Sequence, residues 1–193
     1  SLIEEAKARA AETSTVVFQT GDIMQLSFAD GTFDACRANR VLQHLPDPRG
    51  ALAEMRRVTR PGGRVAVADA DWETCIVVAP DADPEVTEAV TAGEWADTLN
   101  PRIGRQLYAL ARAEGLTEIE IDPTTVVLTD FELASEVLYL EGRLAEMQDA
   151  GVLSSDRADR WLEAVQSAGT DEQLFCSVTG YTVAGTVPLD DDA

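Results

Sequence analysis

The sequence predicts an α/β fold built on an open, mostly parallel sheet, and three observations carry that prediction. Strand-like and helix-like segments alternate from Val16 to Asp69, the pattern that right-handed parallel crossovers impose on an open sheet. Two helical stretches, Phe131 to Ala150 and Ser155 to Ala168, then interrupt the rhythm and read as an inserted helical hairpin. A length of 193 residues, 45% hydrophobic and 26% charged, suits one domain (1–193) with a sizeable core.

Each element has a local reason. Glu4 and Glu5 precede Lys7 and Arg9, an order that complements the helix dipole and predicts a helix to about Ala11. Val16-Val17-Phe18-Gln19-Thr20 is short and β-branched and stops at Gly21-Asp22, as a strand does. Ala29-Asp30-Gly31-Thr32 reads as a turn, and Phe33 to Ala38 as a second strand with a polar stop at Asn39-Arg40. After Pro46-Asp47-Pro48 comes a helix from about Arg49 to Thr59, with Leu52, Met55 and Val58 on its apolar face. Pro61-Gly62-Gly63 is expected to stop it and turn the chain into a buried strand, Arg64 to Asp69. Pro84 to about Leu99 and Ile103 to Glu114 read as helices, the second capped by Gly115. Thr117 to Asp122 and Thr125 to Leu128 read as strand, either two strands or one interrupted at Pro123. Leu174 to Val187 is a long β-branched and aromatic run, and the acidic tail at Asp190 is expected to fray.

Charge and composition narrow the function. Fifteen Lys and Arg against 35 Asp and Glu give a net charge of −20, a sign that repels phosphate backbones and anionic lipid. Neither a nucleic acid nor a membrane is therefore an expected partner. No apolar run approaches the length of a membrane span, and Ser1 leads straight into the first helix, so a cytoplasmic location is expected. Cys36, Cys75 and Cys176 are scattered, and with His44 as the single histidine they make no zinc-ligand pattern. They are expected to be reduced thiols, and no metal is expected.

In an open parallel sheet, ligands bind beyond the carboxyl ends of the strands. That rule selects Gly21-Asp22-Ile23, Asn39-Arg40, His44 and the stretch Asp69 to Trp72. Arg102 and Arg105 sit at a helix start, where positive charge is disfavoured. This suits either an anionic substrate group or an internal salt bridge. Trp95, Tyr108 and Tyr139 fall on predicted helices, where aromatic residues usually enter the core.

Four segments occur in order: Thr20 to Phe28, Thr32 to Ala35, Val41-Leu42-Gln43-His44-Leu45-Pro46-Asp47, and Glu54 to Arg64. Together they resemble the small-molecule class I S-adenosylmethionine-dependent methyltransferases. The resemblance implies a Rossmann-like sheet with an antiparallel last strand at Phe175 to Val187, and a lid that includes the insert at about 131–168. It implies S-adenosylmethionine as cofactor, with Asp22 accepting from the adenine amino group, the Ile23 N–H reaching a ring nitrogen, and Asn39 and Arg40 lining the methionine half. It further implies methyl transfer to a small metabolite, expected at a hydroxyl oxygen. His44 is then a candidate general base paired with the acid Asp69, since a histidine oriented by a carboxylate can take a hydroxyl proton near neutral pH. Trp72 is expected to wall the acceptor pocket, with Arg105 a further candidate for substrate contact. In the family a glycine-rich turn and a ribose-binding acid precede the helix that Ser1 to Lys7 resembles, so the chain is expected to begin past both, as an N-terminally incomplete domain.

Alternatives stay open on the residues alone. Asp22 can simply fix a turn, the Asn39 and Arg40 side chains can be a strand stop, and His44 can be structural. A cofactor-bound scaffold of the cyclase type would keep the fold without the transfer, and a nicotinamide-dependent enzyme shares the parallel sheet. A non-enzymatic interaction domain is a further reading, and the amphipathic helix pair could serve as the face of a homodimer.

Overall fold

The structure, a computed structural model, describes residues 2–9, 15–92 and 98–189. In chain order its elements are α1 (Leu2–Arg9), β1 (Phe33–Asn39), α2 (Pro48–Val58), β2 (Thr59–Val78), α3 (Pro84–Ala92), α4 (Ile103–Ala113), β3 (Thr117–Leu128), α5 (Phe131–Leu138), α6 (Leu140–Asp149), α7 (Ser155–Thr170) and β4 (Phe175–Thr186). A single 3-10 turn, Leu42–His44, follows β1. Trp95 and the acidic tail from Asp190 lie outside the described residues.

The four strands pair in the order β1-β2-β4-β3. β1 and β2 are parallel, while β4 runs antiparallel to both β2 and β3. Three strands therefore point one way, and the last strand of the chain is inserted against them, as the resemblance implies.

Several local expectations are corrected. Residues 16–20 are not a strand: no described strand borders them to take their backbone hydrogen bonds, and Val17 is 87% exposed. The strand expected at Arg64 to Asp69 is the middle of a much longer β2. Pro61-Gly62-Gly63 is a bulge rather than a turn, since two steps along β1, Phe33 to Ala35, match five along β2, Thr59 to Arg64. Pro123 does not break β3, because an edge strand tolerates a residue without an N–H donor. The first helix of the insert divides at Tyr139, which takes a left-handed conformation with φ 54° between α5 and α6.

Two apolar clusters hold the layers together. One joins Val65, Val67 and Val183 of the sheet to Leu52 and Met55 of α2 and Ile103 and Leu107 of α4. The other joins Val77, Cys176 and Val178 to α3 and the insert, through Val90, Leu138, Leu144 and Trp161. On β4 the residues facing the two clusters differ in parity, so the clusters lie on opposite faces of the sheet. β2 serves both through a second bulge, advancing five residues from Asp71 to Ile76 while β4 moves back two, from Thr179 to Ser177. Cys75 and Cys176 are buried free thiols, pushed up to about 11 and about 12 by burial. Among the described residues no helix is long and apolar enough to cross a membrane.

Candidate functional site

The carboxyl ends of β1 and β2 lie side by side because the strands are parallel neighbours from Ala35↔Arg64 to Asn39↔Ala68. Whatever follows either strand emerges at one end of the sheet. Asn39 and Arg40 close β1 there, both exposed. Arg40 is left-handed, φ 56°, and its N–H donates to the Ala68 carbonyl at 2.8 Å. A non-glycine residue holds that conformation at a cost of order 1 kcal/mol, and such residues concentrate at functional sites.

Behind this rim the sheet is hollow for a reason of side-chain size. On one face the row Ala70↔Gly180↔Thr124 and the neighbouring pair Ala68↔Thr182 carry only small groups. They leave a cavity of about 230 Å³, bounded also by Arg40, Trp72 and Val137 of α5. Asp69 alternates with Ala68 and Ala70, so its carboxyl points to the other face. There Oδ2 accepts from the Leu42 N–H at 3.2 Å and Oδ1 has no hydrogen-bond partner. Burial pushes this carboxyl up to about 6, against the smaller opposing pull of the backbone amides of Leu42 and Gln43, then of His44 and Arg40.

The Leu42–His44 turn is held from two sides. Asp69 takes its first N–H, while Asn100 clamps its carbonyls, donating from Nδ2 to Leu42 O at 3.2 Å and Leu45 O at 2.7 Å, and from its backbone N–H to Gln43 O at 2.9 Å. The turn delivers His44, exposed, to a second cavity of about 210 Å³ that shares Arg40, Trp72 and Val137 with the first. Glu136, Tyr139, Arg143 and Glu146, on or between α5 and α6, line its far side. Trp72 stands between the two cavities, 5% exposed, with the Arg40 guanidinium carbon 6.0 Å from its ring centroid. Its indole N–H donates to Gln43 Oε1 at 2.9 Å, and Gln43 Nε2 lies 2.8 Å from His44 Nε2.

With this geometry in place, the comparisons with known proteins become interpretable. A family model described as a methyltransferase domain matches residues 1–67. A 37.1 kDa protein of a transposon from Streptomyces fradiae is 38% identical over 183 residues, which is 94% of this chain and 51% of that protein. The O-methyltransferase resE of Aspergillus sclerotiorum is 44% identical over 153 residues, 76% of this chain and 54% of that protein. The chain belongs to the class I S-adenosylmethionine-dependent methyltransferases. It spans about half the length of the curated relatives it matches. Among solved structures, the YcgJ protein of Bacillus subtilis superposes with a TM-score of 0.60 at 19% identity, over 97% of this chain and 78% of that one. A Bacillus halodurans protein gives a TM-score of 0.58 at 15% identity, over 97% and 79%. At such identities these two likenesses concern the fold.

Within this methyltransferase fold, the expected site residues divide into three groups. Asn39, Arg40, His44, Asp69 and Trp72 converge on one end of the sheet. Asp69 borders the first cavity, but its carboxyl supports the turn that carries His44. Asp22 and Ile23 lie in the loop before β1 and border neither cavity. Asp22 is exposed, with Oδ1 accepting from Met24 N–H at 2.9 Å in a turn of its own, and Ile23 packs against the cluster beneath α2 and α4. Arg105 is the correction. Its guanidinium forks onto Asp71, with Nη2 to Oδ1 at 2.8 Å and Nε to Oδ2, and it lines neither cavity. Asp71 is only 1% exposed and needs that partner, so this arginine is committed inside the fold.

Sequence reasoning missed Gln43, Asn100 and the lid residues Glu136, Arg143 and Glu146, and it sent Tyr139 to the core although the residue is 57% exposed. Gln43 carries a signal in hindsight, since it stands inside the Val41 to Asp47 segment. The lid residues carry none, because polar positions on an amphipathic helix read as solvent-facing.

The residues present fit S-adenosylmethionine in two places. Asn39 and Arg40 expose backbone at a strand end beside a cavity. Asp22 uses only one carboxylate oxygen in its turn, which leaves the other to accept from an exocyclic amine.

Proposed function

We propose that the protein transfers a methyl group from S-adenosylmethionine to a hydroxyl oxygen of a small metabolite. The observation that carries this reading is a histidine with an unprotonated ring nitrogen, placed at a cavity that adjoins the strand-end segment Asn39-Arg40. When bound, S-adenosylmethionine supplies an electrophilic methyl on a positively charged sulfur, and the chain's residues do the remaining work. Asp22, Ile23, Asn39 and Arg40 hold the cofactor. Trp72 and the small residues of the sheet face orient the acceptor and keep water away from it. His44 takes the hydroxyl proton at Nε2 as the oxygen–methyl bond forms and the carbon–sulfur bond breaks, then returns that proton to solvent. Asp69 and Asn100 fix the turn that aims the ring, and alignment supplies much of the remaining acceleration. The 44% identity to an O-methyltransferase favours oxygen as the acceptor atom.

The test is to titrate the chain with S-adenosylhomocysteine, then to follow release of that product from S-adenosylmethionine over a panel of hydroxylated small molecules. The expected result is saturable binding and product formation that His44→Ala lowers by roughly 10²–10⁴-fold in kcat. Absence of binding overturns the cofactor assignment. Turnover of an acceptor without release of S-adenosylhomocysteine would point to the scaffold reading instead.

A further inference from the structure

We infer that Gln43 is a positioning residue that sets which nitrogen of His44 carries the proton, with Trp72 fixing the direction of the relay. The inference rests on the proposed role of His44 as base and adds the device that prepares it.

The argument is one of donors and acceptors. An indole N–H can only donate. The amide atom of Gln43 that meets Trp72 Nε1 at 2.9 Å is therefore its oxygen. The other end of the same planar amide is an NH₂ group, which can only donate, and it lies 2.8 Å from His44 Nε2. Nε2 must then accept, and a neutral imidazole that accepts at Nε2 carries its hydrogen on Nδ1. Gln43 cannot rotate to offer its oxygen to His44 without setting NH₂ against the indole N–H. The side chain is 2% exposed, so water does not relieve that conflict. Trp72, Gln43 and His44 thus form a one-way chain that holds the Nε2 lone pair unprotonated.

Two consequences follow for the reaction. The base atom is Nε2, and the Gln43 N–H occupies its lone pair until an acceptor hydroxyl displaces it. The hydroxyl must therefore approach along the side of the second cavity where Gln43 and His44 meet, which limits acceptors to those that pass between Trp72 and the lid helices.

Because His44 is the only histidine in the chain, its ring nitrogens can be read directly by ¹⁵N-edited NMR of the intact protein. Wild type is expected to show hydrogen on Nδ1 and a bare Nε2. In Gln43→Glu the carboxylate still accepts from Trp72 but can no longer donate to His44, so the hydrogen is expected to move to Nε2. The same variant should lose on the order of 10²-fold in kcat with little change in KM, since the tautomer is wrong rather than the pocket. Gln43→Leu, which cannot impose either tautomer, should show a mixture and an intermediate rate. A wild-type ring with its hydrogen on Nε2 overturns the inference without any variant, as does an unchanged tautomer in Gln43→Glu. These outcomes are separate from the base assignment: full activity in His44→Ala would remove the base while leaving the tautomer measurement standing.

Discussion

Asp69 and Trp72 show how one residue can carry two tasks at this site. The Asp69 carboxyl is raised by burial to about 6, above its ordinary value of 3.8. A raised carboxyl binds its proton more tightly folded than unfolded. Its contribution is then fully favourable below about 4, declines as pH rises towards 6, and is constant above that. Asp69→Asn keeps an oxygen for the Leu42 N–H and cannot ionise. Relative to wild type the variant is expected to gain stability from pH 4 to 6, by about 2 kcal/mol, in urea unfolding measured across that range. Trp72→Phe keeps an aromatic wall but strips the donor from Gln43. Leaving that buried amide oxygen unpaired should cost about 1–3 kcal/mol in the same assay and release the tautomer of His44. At this scale the sequence identified the residue types and missed their directions. Asp69 was readable as an acid at a strand end. Which face its carboxyl takes depends on the alternation of β2 and on where the Leu42 turn comes to lie.

Among the elements, close approach decides more than propensity does. The start of α4 lies against β2 so tightly that a Cβ on Gly104 would come 2.9 Å from the Ala70 carbonyl carbon and the Asp71 nitrogen. Backbone cannot step aside as a side chain can. Gly104→Ala is therefore expected to destabilise by roughly 1–3 kcal/mol in chemical denaturation and to loosen the Arg105–Asp71 pair. At the lid, a Cβ on Gly142 would meet the Tyr139 ring at 2.0 Å. That ring ends an exposed side chain and can move, so Gly142→Ala should leave the melting temperature nearly unchanged while altering KM for the acceptor. The loop at 26–30 is tied to α2 by Arg57, which donates to Glu54, to Asp30 and to the carbonyls of Leu26 and Phe28. Arg57 holds the Glu54 carboxyl down to about 2, so the clamp is present above the ordinary glutamate range and is lost only as pH falls towards 2. Arg57→Met should increase hydrogen exchange across residues 26–32 at neutral pH, where the native clamp is closed. The helices, β1 and the end of β4 were legible because their apolar periods are local. The extent of β2 was not, because two bulges continue the strand through Pro61-Gly62-Gly63 and across the Asp71 to Ile76 stretch.

For the whole molecule, charge is the dominant long-range term. A net −20 on 193 residues is a self-repelling surface, and salt screens such repulsion within about 10 Å at 0.1 M. Raising sodium chloride from about 0.02 to about 0.5 M is expected to raise the melting temperature in differential scanning calorimetry. An unchanged or falling value would mean that the ion pairs, among them Arg60–Asp34 and Arg157–Asp83, outweigh the repulsion.

By itself the sequence determined the α/β class, the antiparallel last strand and the family, since these follow from local periodicity and from four ordered segments between Thr20 and Arg64. It also marked the strand ends that the parallel pairing of β1 and β2 would bring together. Only the tertiary structure decided what those residues do to one another. Arg105 is taken by Asp71, the Asp69 carboxyl turns to the far face, and Gln43 links Trp72 to His44. Each of these depends on a contact between residues from about 30 positions apart down to immediate neighbours, whose mutual orientation is set by strand parity, by a bulge and by a buried hydrogen bond. Spacing along the chain encodes none of the three.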